Sequence, residues 1–118
     1  MAQGETSHTC GTKKITYPTG STFLCVCPGT GKCTWTVILT DGTVFTGTEL
    51  KAPTGPPKPP HVSIDGSLAL AAIAFQRVLK RKVVVPAAVR KTKVSKHFKG
   101  TAREVAAQLG LEVTTTRA

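Results

Sequence analysis

Between Ala52 and Pro60, five of nine residues are proline: Pro53, Pro56, Pro57, Pro59 and Pro60. Proline fixes φ and has no amide proton, so neither a helix interior nor a central strand crosses such a segment. The segment is expected to be an extended spacer of polyproline II type. It divides the chain into residues 1–51, a linker at 52–60 and residues 61–118. On this reading the flanking parts need not pack together. A chain of 118 residues has room for one ordinary domain or two very small ones.

The second part alternates between strand and helix patterns. Val62-Ser63-Ile64 places apolar residues two apart, as in a half-buried strand. Asp65, Gly66 and Ser67 then interrupt, and either polar side chain suits a helix N-cap. Leu68, Ala72, Phe75 and Leu79 share one helical face, which Ile73, Val78 and the alanines widen, so this helix is expected to be buried on most sides. Val83-Val84-Val85 is β-branched and ends at Pro86. In the next strand Val94, Lys96 and Phe98 share one face and Lys93, Ser95 and His97 the other, predicting an edge strand with one wet, basic face. Thr101-Ala102-Arg103-Glu104 has the capping-box spacing, with Val105 and Leu109 as the buried stripe and Gly110 at a left-handed helix end. Glu112 to Thr116 is β-prone and available to close the sheet.

This order of elements, with the spacing Val94-x-x-x-Phe98-x-Gly100-Thr101-x-x-Glu104-Val105-x-x-x-Leu109, resembles the short N-terminal domain of secretins and TonB-dependent receptors. Ile64, Leu68, Leu70, Ile73, Phe75, Val83 to Val85 and Gly110 share in the pattern. The likeness covers residues 61–118. It implies a βαββαβ unit without catalytic residues, placed in the bacterial periplasm or cell envelope and acting through protein partners.

The first part carries the cysteines Cys10, Cys25, Cys27 and Cys33. Met1 to Thr9 is polar and expected to be loose. Lys14–Tyr17, Thr22–Cys27 and Cys33–Thr40 read as strands, and Asp41-Gly42 as a two-residue hairpin turn pairing Leu39 with Val44 and Ile38 with Phe45. The result is a small antiparallel meander, so the whole chain is assigned to the α+β class. Cys25, Cys27, Cys33 and Trp35 have one parity. If residues 28–32 join paired strands, Cys27 faces Cys33 and Cys25 faces Trp35. Bridges Cys27–Cys33 and Cys10–Cys25 fit this geometry and suit a β-module short of core. Three connectivities remain open from sequence alone, as does a tetrahedral zinc on four thiolates. Gly29-Thr30-Gly31-Lys32 fails as a phosphate loop, because Cys33 and Val26 stand where Ser/Thr and Gly are needed.

Charge is distributed unevenly. The chain has a net charge of +10, of which +8 lies after Pro60. Lys80, Arg81, Lys82, Arg90, Lys91, Lys93, Lys96 and Lys99 form a candidate binding face for an acidic protein surface, anionic lipid or, alternatively, nucleic acid, against the plainer reading of a solvated, solubilising face. Phe75 and Phe98 are the aromatics of this half, and both sit in apolar patterns rather than as base-stacking platforms. His8, His61 and His97 are scattered, and six acidic residues leave few combinations for acid–base chemistry, so no enzyme activity is expected. The longest apolar run, Leu68 to Phe75, is far short of the roughly 20 residues that span a bilayer. Met1 to Glu5 lacks the basic head and apolar core of a signal peptide. A cytoplasmic location with zinc or free thiols is the alternative to a mature envelope module.

Overall fold

The computed structural model describes residues 4–29, 32–48 and 59–117. The spacer expectation for 52–60 therefore falls outside the described residues except at Pro59 and Pro60, as do two residues of the rejected phosphate loop. Nine strands and two helices follow one another. They are β1 Glu5–Cys10, β2 Lys13–Pro18, β3 Thr22–Cys27, β4 Thr34–Ile38, β5 Val44–Thr48, β6 His61–Ser67, α1 Leu68–Leu79, β7 Arg81–Val84, β8 Lys93–Lys99, α2 Ala102–Gln108 and β9 Glu112–Arg117. A 3-10 turn, Ala87–Val89, precedes β8. The α+β class is what the sequence led us to expect.

One antiparallel sheet of order β5-β4-β3-β6-β8 organises these elements, beside two-stranded sheets β1-β2 and β7-β9. Every residue of β3 is buried. Thr-Phe-Leu-Cys-Val-Cys is apolar at consecutive positions, as a strand covered on both faces requires. Its alternate side chains serve two cores. Phe23, Cys25 and Cys27 pack with Cys10, Ile15, Tyr17, Cys33 and Val37 under the β1-β2 hairpin. Leu24 and Val26 pack with Ile38, Val62, Ile64 and the apolar faces of α1 and α2. The molecule is thus hairpin, sheet and helices in three layers.

The expectation that residues 1–51 and 61–118 need not pack together is corrected here. β3 pairs with β6 along its length, from Phe23↔Asp65 to Cys27↔His61. The physical reason is the edge of β3. Its apolar faces and unpaired backbone would otherwise be exposed on that side, and β6 supplies both the ladder and the buried Val62 and Ile64.

Three local expectations also change. Glu5–Cys10 is a strand rather than a loose arm. Its even-numbered side chains face inward, with the His8 ring stacked at 5.4 Å on Phe23 and Cys10 fully buried. The β4–β5 hairpin pairs Ile38 with Val44 and Val37 with Phe45, one residue from the expected register. Gly42 takes φ 93°, the Gly42 amide donates to the Leu39 carbonyl, and the Leu39 amide donates to the Thr43 carbonyl. This is the three-residue turn with a left-handed glycine, which competes with the two-residue form. It puts Val44 on the helix-side core and leaves Phe45 51% exposed. Helix α1 buries Leu68, Ala71, Ala72, Ala74 and Phe75, yet Ile73 is 40% exposed, so one flank of this helix faces solvent.

The helix ends follow their sequence signals. Ser67 caps α1 by accepting from the Leu70 amide, and Thr101 with Glu104 forms the reciprocal capping box of α2. Those hydrogen bonds to Thr101 hold the Glu104 carboxyl below its ordinary value. β9 pairs with β7 through Val83↔Val113 rather than joining the main sheet.

Candidate interaction surface

β8 is the terminal strand of the five-stranded sheet. It pairs with β6 from Ser67↔Lys93 to His61↔Lys99, and among the described residues no strand pairs with its other edge. Such an edge is a template for a further strand unless charge or shape blocks it. Val94 and Phe98 are half-buried toward the helices, while Lys93, Ser95, Lys96, His97 and Lys99 are exposed. Lys96 lies over the Phe98 ring at 5.8 Å. Among the described residues no carboxylate forms an ion pair with Lys93, Lys96 or Lys99. Their charge is available to an incoming group.

The eight basic residues taken from the sequence do not make one surface. Lys80 caps the C-terminal end of α1 in the left-handed conformation, its amide donating to the Gln76 carbonyl. Lys80, Arg81, Lys82 and Gln76 line a shallow groove there. Arg90, Lys91 and Lys93 lie at the opposite end, because the amide of Leu68, the first residue of α1, donates to the carbonyl of Thr92. Twelve residues of helix separate the two groups by about 18 Å at 1.5 Å per residue. Only the second group continues along β8. All these side chains are exposed except Arg81, which is half-buried.

The cysteines are brought together on and beside the central strand β3. Cys10–Cys25 and Cys27–Cys33 are disulfide-bonded, with Cα atoms 5.5 and 4.3 Å apart. The β3–β4 register that places Cys25 opposite Trp35 is the one read from parity. The sulfurs of Cys10, Cys25 and Cys27 fall within 4.8 Å of one another. As two disulfides they carry no thiolate, the form that ligates zinc.

Sequence reading missed the groups gathered around Asp65. Its Oδ2 accepts from the Tyr17 hydroxyl at 2.7 Å and lies 3.3 Å from His8 Nε2. Burial above all, then the hydrogen bond and charge of Asp65, push the Tyr17 phenol well above its ordinary value. This network fastens the hairpin layer to β6. A second missed group is His61, Ser63 and His97 on the open face of β6 and β8. Pairing across a long loop created both groups, and no local spacing announces them. No helix among the described residues is long and apolar enough to cross a membrane. Comparison with known proteins finds no matching family model, curated protein or solved structure.

Proposed function

We propose that this protein is a non-enzymatic docking module of the bacterial cell envelope that receives an acidic, extended segment of a protein partner along β8. The observation that carries the reading is the β8 edge, which no strand among the described residues pairs, with exposed Lys93, Lys96 and Lys99. Strand addition draws affinity from main-chain hydrogen bonds and specificity from alternating side chains. The half-buried Val94 and Phe98 offer apolar neighbours on one face, and Lys93 and Lys99 offer cations on the other. The resemblance of residues 61–118 to the short N-terminal domain of secretins and TonB-dependent receptors supports an envelope role. The two disulfides suit an oxidising compartment.

The test uses the full oxidised chain and a labelled peptide alternating Glu and Val, matched to the seven residues of β8. A peptide of the same composition with its alternation scrambled and a single-stranded DNA serve as competitors. The alternating peptide is expected to bind and to shift the backbone amide resonances of β8. Exposed charge pairs contribute about 0.5 kcal/mol each, so reversing three lysines in Lys93→Glu/Lys96→Glu/Lys99→Glu should weaken binding by at least about tenfold. Unchanged binding by that variant would remove β8 as the contact surface. Tight, steeply salt-dependent DNA binding with no peptide binding would favour a phosphate-driven nucleic-acid role instead.

A further inference from the structure

We propose that His61 and His97 form a two-histidine site for a late first-row divalent transition ion, on the sheet face that the hairpin leaves open. The two residues lie on adjacent strands, β6 and β8. Ser63 pairs with His97, and His61 is two residues along on the same face. Their ring centres are 5.0 Å apart. Metal–nitrogen bonds of about 2.0–2.1 Å, with each nitrogen about 1.1 Å from its ring centre, put two rings on a tetrahedral ion about 5.2 Å apart. The observed spacing meets that requirement without rearrangement of the strands.

The hydrogen bonds leave the correct nitrogens available. His61 Nδ1 is 3.2 Å from the carbonyl oxygen of Pro59. A carbonyl only accepts, so Nδ1 carries the proton and Nε2 carries the lone pair. His97 Nδ1 is 2.8 Å from Ser63 Oγ, and in the metal-bound form it donates to that oxygen through its own proton. An imidazole whose second nitrogen is held by a carbonyl or hydroxyl is the usual outer arrangement of a ligating histidine. Here both rings have it. Two imidazoles suit Cu²⁺, Ni²⁺ and Zn²⁺, with Cu²⁺ bound most tightly, and leave further positions for water or a donor from a partner.

The remaining groups on this face set the sign of the salt effect. Lys99 pairs across from His61, with Ser95 and Lys93 further along β8. On β6, Asp65 is engaged by Tyr17 and His8. The neighbouring cysteines of β3 are in disulfides. A dication therefore approaches against positive charge, and added salt should strengthen its binding. An anion held by the same lysines would show the opposite dependence.

The experiment follows the imidazole resonances of the full oxidised chain while ZnCl₂ is added, in a buffer free of phosphate, chelator and reductant. The chain has three histidines, so the assignment is complete. His61 and His97 are expected to shift together with one-to-one stoichiometry while His8 stays unmoved. His61→Ala and His97→Ala should each abolish the paired response. Ser63→Ala, which removes only the group orienting His97, should weaken affinity by about tenfold or more while keeping the stoichiometry. His97 is exposed and His61 and Ser63 are half-buried, and unchanged circular dichroism establishes that the variants are folded. A response confined to His8, affinity retained in either alanine variant, or binding weakened by salt would each overturn the proposal.

Discussion

The two disulfides close loops of different length, and this difference gives a quantitative expectation. Cys10–Cys25 spans a sequence separation of 15 and Cys27–Cys33 one of 6. In the chain-entropy description, closing these loops in the unfolded chain stabilises the fold by about 3 and about 2.2 kcal/mol respectively. The structure widens the gap. β1 and β2 form a backbone ladder with each other and not with the main sheet. The hairpin is therefore held down by the packing of His8, Ile15 and Tyr17, by the contacts of Tyr17 and His8 with Asp65, and by the Cys10–Cys25 link. Cys27–Cys33 joins β3 to the start of β4, which are already paired through five residue pairs.

We expect Cys10→Ala/Cys25→Ala to lose about 3 kcal/mol or somewhat more, and Cys27→Ala/Cys33→Ala about 2 kcal/mol. Full reduction should cost about 5 kcal/mol, comparable to the whole stability of many domains of this size. Urea unfolding measures these losses through circular dichroism and the fluorescence of Trp35, the single tryptophan. The slope of the transition should rise when a bridge is removed, because the freed unfolded chain exposes more surface. Equal losses, or a larger loss from the shorter loop, would refute the loop-length reasoning. Insensitivity to reductant together with loss of stability on adding a chelator would replace the disulfides by a thiolate–metal centre.

Two further perturbations follow from the contacts. Gly66 has φ 132°, and an added Cβ would lie 2.6 Å from Thr22 Oγ1 and 2.8 Å from the Thr22 backbone; Gly66→Ala should lower stability by at least about 1–3 kcal/mol in the same urea assay. Tyr17 is the chain's one tyrosine, and its phenol is raised above the ordinary value of 10.0. Its contribution is complete below the unfolded value and is lost as pH rises past it, with a slope approaching about 1.4 kcal/mol per pH unit. Phenolate absorbance should appear only as the protein unfolds, and Tyr17→Phe should flatten the alkaline limb of the stability profile.

How much of this was legible depended on the range of the interactions. The capping box at Thr101 and Glu104, the parity of Cys25, Cys27 and Cys33, and the edge pattern of Lys93 to Lys99 are local signals. Each is fixed by bonds or faces within a few residues. The β4–β5 register was missed because two turn types compete for Asp41-Gly42 and differ only in where the glycine sits. The β3–β6 pairing was missed for another reason. Residues 52–60 read as a spacer, and composition gives a spacer's stiffness but not what its ends touch. The buried character of β3 was the overlooked clue. Six consecutive buried residues need cover on both faces, and residues 1–51 alone hold too few apolar partners to supply it.

That pairing also explains where function can reside. The hairpin layer covers β3 and β4 through the Cys10–Cys25 disulfide, Ile15 and Tyr17, and meets β6 at Asp65. Beyond it, the same sheet face continues over the half-buried His61 and Ser63 and the exposed His97 to the lysines of β8. The opposite face stays packed on α1 and α2. The middle of the sheet at β3 is therefore cross-linked and covered on both faces, while β6 and β8 are packed from behind on the helices. A strand added at β8 would lie beside Val94 and Phe98 on its packed face and beside Lys93, His97 and Lys99 on its open one. The docking edge and the histidine pair would then be neighbours, and a donor on the incoming strand could complete the coordination of an ion held by His61 and His97.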